Sequence, residues 1–288
     1  MLDATTAAIT PAVRIRPWRR GAVPDKGALI GFVLVALTVL SAIFAGLVGL
    51  TSPTATDVGA ELRGPFTAGH LLGTDQLGRD TLSRLVWGSR PALVEGVLPV
   101  VIAALIGSLI GGIAGFLGGH SESLTMRGVD VLLALPPVMM GIAVAATLGS
   151  GVRNVVIAMT IVLVAPMTRV ARGAVLSVKN EVYVSAARSL GVPERRIFLR
   201  HVLPNAASPI IAYAFSLVGI MIVFASGLSF LGLGVQPPTA DWGRMVNEGR
   251  LLLSTNPWLS TLPGLAIFLV GLGFGLVGEW IDDVVGRR

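Results

Sequence analysis

The sequence has no cysteine, only two lysines and only three histidines in 288 residues. The lack of cysteine excludes disulfide bonds, thiolate nucleophiles and metal sites built from thiolates. His70, His120 and His201 are far apart in the chain and do not have the spacing of a metal cluster. No Gly-x-x-x-x-Gly-Lys-[Ser/Thr] string occurs, so the usual phosphate-binding loop for a nucleotide is absent from the sequence. We therefore expect that this chain holds no metal in such a cluster and no nucleotide cofactor in such a loop.

Charged residues are also scarce, at 13% of the chain against 53% hydrophobic residues, and the mean hydropathy is +0.79. Soluble domains carry about 25% charged residues, so most of this chain belongs in a lipid bilayer. The net charge of +6 does not indicate nucleic-acid binding, because the basic residues lie in loops between apolar runs. The composition predicts an integral membrane protein with short aqueous loops.

Long apolar runs predict six transmembrane helices and an all-α fold. The first run, at 28–50, corresponds to about 34 Å of helix, which is too long for the apolar region of a cleavable signal peptide. The third run contains Pro136-Pro137, which we expect to bend that span. The five later runs are at 91–117, 129–148, 154–168, 206–231 and 262–277.

Lysine and arginine are distributed unequally between the two sides that six spans define. One side carries 15 of these residues and the other carries 7. Because basic residues accumulate on the cytoplasmic side, we expect the termini at 1–27 and 284–288 and the loop at 173–205 to be cytoplasmic. The segments at 51–90 and 232–261 then face outwards.

The two outward-facing segments have patterns of their own. Residues 80–87 begin with the N-cap residue Asp80 and repeat apolar residues at helical spacing, which predicts a short amphipathic helix on the outer membrane surface. The segment at 235–261 contains Trp242 and Trp258 near prolines. This composition suits either the outer headgroup level or a short re-entrant piece covered by protein.

The polar stretch at 179–205 predicts two short helices joined by a tight turn. The first helix ends at Gly191, which has the position of a C′ residue with positive φ, and the second begins at Pro193 and ends at Pro204. A plain connection between two spans needs only a few residues, so this hairpin is predicted to have a function. DNA binding by such a helix-turn-helix is excluded, because membrane spans tether it on both sides.

The string from Tyr183 to Gly191, followed by Leu203-Pro204, resembles the EAA loop of ABC importer permeases. The resemblance implies a type I importer permease fold in which a cytoplasmic coupling helix contacts separate ATPase subunits. Two positions depart from the family pattern, with Ser185 in place of an acidic residue and His201 in place of an aliphatic one. The residues to which the resemblance assigns docking are Tyr183, Ser185, Ala186, Ala187, Arg188, Gly191, Arg195, Arg196, His201, Leu203 and Pro204.

Two outward-facing strings extend the resemblance to the second permease subunit of dipeptide and oligopeptide importers. They run over residues 72–84 and 228–238, and Trp242-Gly243 and Pro257-Trp258 follow them. The similarity covers the chain from about residue 25, and it places an importer transmembrane domain at 91–283. The outer residues that it singles out are Asp75, Gly78, Arg79, Asp80, Gln236, Pro237 and Trp242.

The resemblance implies a permease that forms half of a translocation pathway for dipeptides or oligopeptides in a bacterial inner membrane. The expected partners are a homologous permease, two cytoplasmic ATPase subunits, an external substrate-binding protein and membrane lipid. ATP and Mg²⁺ would be bound by the ATPase subunits. Related importers carry nickel complexes or haem, and no residue of this chain chooses among these substrates.

A proton-coupled secondary carrier is the main alternative. Such a carrier requires paired acidic residues within the membrane, and the sequence offers only Glu95 near the outer end of a span. We expect water to reach this carboxylate, which argues against a proton relay. An intramembrane hydrolase is also disfavoured, because all three histidines lie in predicted loops and no serine–histidine pair occurs at membrane depth.

Overall fold

The computed structural model of the chain describes residues 24–47 and 50–285. Within these ranges the regular structure is helical, with two isolated β-bridges and no β-strand. A π-helical turn spans Phe198–Val202, and a 3₁₀ turn spans Arg250–Leu252. The α-helices of the described residues are α1 Lys26–Phe44, α2 Thr81–Leu117, α3 Gly119–Leu133, α4 Pro137–Leu148, α5 Val152–Lys179, α6 Val182–Ser189, α7 Glu194–Ile197, α8 Leu203–Phe230, α9 Trp242–Gly249 and α10 Trp258–Val285.

Within the described residues, five helical stretches are long and apolar enough to cross a membrane. They are α1, α2, α5, the continuous stretch Glu194–Phe230 and α10. The pair α3 and α4 forms a sixth candidate span, which is bent by 83°. The predicted all-α membrane fold is confirmed, with five uninterrupted spans and a bent pair that makes up to six.

The break between α3 and α4 lies at the proline pair that the sequence singles out. Pro136 directly precedes α4, and Pro137 occupies its first position. Proline has no backbone N–H to donate to the preceding turn, and its ring clashes with that turn. A continuous helix therefore cannot pass through this pair, and the predicted bend is a full break between two helices.

The first helix begins close to its predicted start and ends early. The Asp25 carboxylate caps it by accepting a hydrogen bond from the Ala28 N–H at 2.7 Å. The helix ends at Phe44, whereas the apolar run predicts a span up to residue 50. Most of the predicted N-terminal tail at 1–27, and residues 286–288 of the predicted C-terminal tail, lie outside the described residues.

The long helices pack closely because small residues line their contacts. A Cβ atom at Gly111 of α2 would lie only 2.1 Å from the Thr168 carbonyl oxygen of α5. A Cβ atom at Gly219 of α8 would lie 2.4 Å from the Gly271 carbonyl oxygen of α10. Membrane helices associate through such close backbone approach. These glycine seams hold α5 on α2 and α10 on α8, and the main hydrophobic cluster lies among the same helices.

The predicted surface helix at 80–87 is wrong. The structure has one helix, α2, that begins at Thr81 and continues through the predicted start of the span to Leu117. Asp80 is its N-cap, as the sequence suggests, and accepts from the Ser83 N–H at 2.8 Å. The first turns of α2 are covered by α9, whose Trp242 ring packs on Gly88, so this end of the helix is protected by protein.

Candidate functional site

Residues 182–202 form a hairpin between the spanning helices α5 and α8. Its first helix, α6, is followed by Gly191, which has φ +76°, as the sequence predicts for a C′ residue. The turn is closed by hydrogen bonds from the Gly191 N–H to the Arg188 carbonyl at 3.0 Å and from the Val192 N–H to the Ala187 carbonyl at 3.2 Å. Pro193 then caps α7, which begins at Glu194.

The second helix of the hairpin does not end at Pro204, so this part of the prediction is wrong. The chain passes from α7 through the π-helical turn into α8 without a break, and Pro204 lies in the first turn of α8. A proline N cannot donate to the carbonyl of the preceding turn. The wider π turn accommodates it, with the Leu203 N–H bonded to the Phe198 carbonyl and the Asn205 side chain donating to the His201 carbonyl at 2.6 Å.

The hairpin is anchored by a small apolar core of its own. Residues from α5, α6, α7, the π turn and α8 meet in this core, and each has no exposed surface. Burial of five aliphatic side chains removes their surface from water and fixes the two short helices against the ends of the spans. The hairpin is therefore a folded extension of α5 and α8. The members of this core are Val175, Val184, Ile197, Val202 and Ala206.

Most of the eleven predicted docking residues lie on the exposed side of the hairpin. Ala187, His201 and Leu203 are half-buried. The exposed members are Tyr183, Ser185, Ala186, Arg188, Gly191, Arg195, Arg196 and Pro204. The sequence therefore identifies a surface that the structure leaves open to contact.

Two apolar residues of this surface were missing from the predicted docking set. Val182 and Leu190, at either end of the α6 segment, are 82% and 84% exposed. Their i, i+8 spacing puts them on the same side of the helix, opposite the buried Val184. The signal that could have identified them is an apolar residue that lies in a short polar loop and is not part of the core.

The hairpin surface is basic. Arg188 donates two hydrogen bonds to the carboxylate of Glu194, at 2.5 and 3.1 Å, and these bonds lower the pKa of Glu194. Within the described part of the chain, Arg195, Arg196 and Arg200 make no ion pair. The exposed surface thus combines apolar residues with unpaired guanidinium groups, which suits a partner that carries acidic and apolar groups.

A second charged group of residues lies at the opposite ends of the spans, where the segment before α2 meets α9. We call it the arginine cluster: Asp75, Arg79, Arg84, Arg244 and Glu248. Asp75 accepts from Arg79 at 2.7 Å and from Arg84 at 2.5 Å. Glu248 accepts from Arg79, Arg84 and Arg244 at 3.2, 2.9 and 3.0 Å. The cluster joins the start of α2 to α9.

The sequence analysis predicted only part of this cluster. Asp75 and Arg79 are in the predicted set of outer residues, and the structure places their side chains together and almost buried. Arg84, only 2% exposed, stands in the quoted string but was not selected, and Glu248 was missed. Glu248 is separated from Arg84 by 164 residues, so no local sequence pattern reveals the pair.

The other predicted outer residues support the fold of this region. Gly78 has φ +70° and a Cβ there would lie 1.9 Å from the Asp57 carbonyl oxygen, so only glycine fits. Asp80 pairs with His70 at 3.0 Å. Gln236 donates to two backbone carbonyls of its own turn, directly before the cis Pro237-Pro238 bond.

Trp242 resolves one alternative that the sequence leaves open. It is 4% exposed, and its indole N–H donates to the Leu85 carbonyl at 2.8 Å. A tryptophan anchored at the headgroup level would keep a face towards lipid. The structure instead favours a piece that is covered by protein, in which α9 packs on α2.

Glu95 is buried, contrary to the expectation that water reaches it. The residue is 1% exposed within α2, and no described residue hydrogen-bonds to its Oε1 atom. Asp241 is the N-cap of α9, accepts from the Arg244 N–H at 2.8 Å, and has a pKa that burial raises. Buried acidic residues of this kind also occur in proton-coupled carriers, so their burial is compatible with that class as well.

Comparison with known proteins decides between the two classes. Residues 104–288, which include the hairpin, match the family described as "Binding-protein-dependent transport system inner membrane component". The chain is 37% identical over 277 residues to the dipeptide transport system permease protein DppC of Alkalihalophilus pseudofirmus, covering 95% of this chain and 91% of that protein. It is 43% identical over 219 residues to the glutathione transport system permease protein GsiD of Escherichia coli, covering 76% of this chain and 72% of that protein.

These matches favour neither a proton-coupled carrier nor an intramembrane hydrolase, and they agree with the type I importer permease fold. The similarity extends over nearly the whole chain and includes both the hairpin and the arginine cluster. The chain therefore belongs to the family of binding-protein-dependent transport system inner membrane components, the permease subunits of ABC importers.

Proposed function

We propose that this permease forms half of a translocation pathway for peptides and that its hairpin is the surface on which cytoplasmic ATPase subunits dock. The single observation that carries this proposal is the construction of the hairpin. Its inner side is a closed aliphatic core continuous with α5 and α8, while its outer side keeps apolar and basic residues exposed. A rigid unit with an open surface is what a partner needs in order to move two spans at once.

The energy source must come from other proteins. The sequence has no phosphate-binding loop, so ATP and Mg²⁺ are bound by the partner ATPase subunits in this proposal. A homologous permease completes the pathway, membrane lipid surrounds both, and an extracytoplasmic binding protein delivers the substrate. The permease itself is then not an enzyme and binds no nucleic acid.

The orientation follows from the charge distribution. In this proposal the side with more lysine and arginine is cytoplasmic, so the hairpin and both termini lie on the cytoplasmic side of a bacterial inner membrane. The arginine cluster then lies on the outer side. There it fixes α9 to α2, so that the surface offered to a binding protein keeps one shape.

Peptides are the substrate class that the relatives favour. One relative is named for dipeptide transport and the other for glutathione transport, and glutathione is itself a small peptide. A permease for dipeptides needs a pathway that tolerates varied side chains. We therefore propose di- and oligopeptides, with nickel complexes and haem as the alternatives to be tested in the same assay.

The test is reconstitution of the complete transporter with a Leu190→Asp permease. Leu190 is 84% exposed, so the change leaves the folded chain intact but places a carboxylate in the proposed contact. We expect retention of the ATPase subunits on the purified permease, and vanadate-sensitive peptide uptake, to fall at least about tenfold, as for a central residue of an interface. Abolishing the proton gradient should have no effect.

Leu251→Asp is the matched control, because Leu251 is 79% exposed and lies beside α9 at the other ends of the spans. This variant should retain the ATPase subunits as the unmodified permease does. Equal retention by Leu190→Asp, with normal uptake, would contradict the assignment of the docking surface. Uptake that needs a proton gradient and no ATPase would contradict the proposed class.

A further inference from the structure

The C-terminal end of α2 lies against the base of the hairpin, although three other helices separate the two in the sequence. Lys179, the last residue of α5, donates to the Phe116 carbonyl at 2.5 Å and approaches the Gly115 carbonyl at 3.4 Å. The last carbonyls of a helix have no partner within it, and they carry the negative end of its dipole. The Lys179 ammonium group therefore caps α2 from a neighbouring helix.

Aromatic packing continues this contact into the hairpin. The Phe116 ring of α2 lies 4.9 Å from the Phe198 ring, centroid to centroid, at an angle of 49°. Phe198 is the first residue of the π turn, and both rings pack against the aliphatic core of the hairpin. The Lys179 ammonium group is also 5.6 Å from the centre of the Phe116 ring, within range of a cation–π interaction.

Small residues on α2 allow these contacts to form. A Cβ atom at Gly112 would be in ordinary contact with the Phe198 ring at 3.7 Å and with Val175 at 3.8 Å. A Cβ atom at Gly115 would lie 3.1 Å from the Arg172 carbonyl oxygen. The end of α2 thus fits into the angle between α5 and the π turn.

An ion pair extends the same contact to α3. Arg172, two turns before Lys179 on α5, donates to the Glu122 carboxylate at 2.6 Å. The short turn between α2 and α3 contains Gly118, and a Cβ there would lie 3.8 Å from both the Lys179 Nζ and a Glu122 carboxylate oxygen. Arg172 and Lys179 of α5 therefore hold the α2–α3 corner.

We propose that Lys179, with the Phe116–Phe198 ring pair, is a coupling joint that makes α2 and α3 move with the hairpin. This inference rests on the proposed docking function of the hairpin and adds a positioning residue to it. The chain alone connects the hairpin to α5 and α8. The joint recruits α2, so that force applied to the hairpin reaches a third spanning helix directly.

The ordinary alternative is that Lys179 only stabilises the end of α2. The two roles differ in what they predict for the ratio of peptide transported to ATP hydrolysed. A stabilising contact changes the amount of folded protein and leaves this ratio unchanged in the protein that assembles. A coupling joint changes the ratio, because ATP hydrolysis continues while α2 no longer follows the hairpin.

The experiment uses the complete transporter, reconstituted with its partner permease, ATPases and binding protein, and carrying Lys179→Met. Methionine keeps an unbranched side chain only one heavy atom shorter than that of lysine, but it cannot donate to the carbonyls of α2. We expect peptide transported per ATP to fall about fivefold or more, the range of an energetic coupling between two sites. ATP hydrolysis per assembled complex should stay within a factor of about two, and Lys179→Arg should restore the ratio.

Arg169→Met is the matched control. It removes a cation from the same helix, but Arg169 pairs with Asp130 of α3 in an exposed position, where an ion pair contributes little. This variant should keep the normal ratio. If Lys179→Met also keeps it, while Leu190→Asp loses docking, the joint is refuted and the docking surface stands. If both variants behave normally, the proposed function itself fails.

A distance measurement gives a second readout. Because the chain has no cysteine, Leu117→Cys and Ser189→Cys can carry spin labels as its only thiols. Both positions are exposed, and neither belongs to the proposed docking surface. In the unmodified joint, the distance between the labels should be the same in the nucleotide-free and vanadate-trapped transporter. With Lys179→Met the distance should change between the two states. If the distance already differs between the two states in the transporter that keeps Lys179, the proposed joint is refuted.

Discussion

The hairpin and the arginine cluster, at opposite ends of the spans, use charge in opposite ways. In the arginine cluster the guanidinium groups are turned inwards, with Arg79 and Arg84 almost buried and bonded to the carboxylates of Asp75 and Glu248. In the hairpin the inner side is aliphatic, and the guanidinium groups face solvent. The charges of the arginine cluster form ion pairs within the protein. Most of the arginines of the hairpin remain exposed for contact with another protein.

This difference indicates which region is built to receive a partner. A buried charge that loses its partner destabilises the protein strongly, so the residues of the arginine cluster are committed to the fold. An exposed charge contributes little to stability, so the hairpin can offer its arginines to another protein without loss. Substitutions in the two regions should therefore fail in different assays.

The largest effect is expected for Arg84→Met. Removing this guanidinium group leaves Asp75 and Glu248 with fewer partners in a covered site, at a cost of about 3 kcal/mol. We expect a clear drop in the melting temperature of the purified permease in detergent and a loss of monodisperse protein. The measurement is thermal unfolding followed by size-exclusion chromatography.

Arg169→Met serves as control here as well, since its ion pair with Asp130 is more than half exposed on both sides. Its cost should stay below about 1 kcal/mol. If Arg84→Met melts at the same temperature as this control, the arginine cluster does not hold α9 on α2, and the comparison of the two regions collapses.

A smaller effect on stability, but a larger one on transport, is expected for Gly191→Val. A Cβ atom at Gly191 meets no other atom within 4 Å, so the change acts only through its φ of +76°. A side chain in this left-handed conformation costs about 1–2 kcal/mol, and the turn between α6 and α7 should relax to another shape. Peptide uptake should fall severalfold while the melting temperature changes little.

Gly173→Val is the matched control, because a Cβ at Gly173 also meets open space and this residue lies within α5 in an ordinary helical conformation. It should transport normally. Normal transport by Gly191→Val would show that the shape of the hairpin turn is unimportant for transport. It would contradict the claim that the hairpin, unlike the arginine cluster, serves contact with a partner.

Local sequence patterns were sufficient for the features that depend on neighbouring residues. The left-handed turn at Gly191 and the N-cap at Asp80 follow from side-chain chemistry within a few positions. The apolar runs give the spans, because a helix must satisfy its own backbone in lipid. The bend at Pro136 follows from the missing N–H, although its size of 83° does not.

Features that depend on distant contacts could not be predicted in this way. Residues 80–87 have apolar residues at the helical spacing of an amphipathic surface helix. In the structure they belong to the start of α2, and α9, which follows more than 150 residues later, covers them. No local sequence pattern indicates the contacts of Glu248 or of Lys179 either. Their roles arise from helices that only the folded chain brings together.

The central claim is that the hairpin faces the cytoplasm and receives the ATPase subunits there. A permease carrying Leu190→Cys, whose thiol is the only one in the chain, tests it most directly. A membrane-impermeant maleimide should label this cysteine in inside-out vesicles, and bound ATPase subunits should protect it. Labelling from the outside of intact cells, or labelling in inside-out vesicles that the ATPase subunits do not reduce, would contradict the claim.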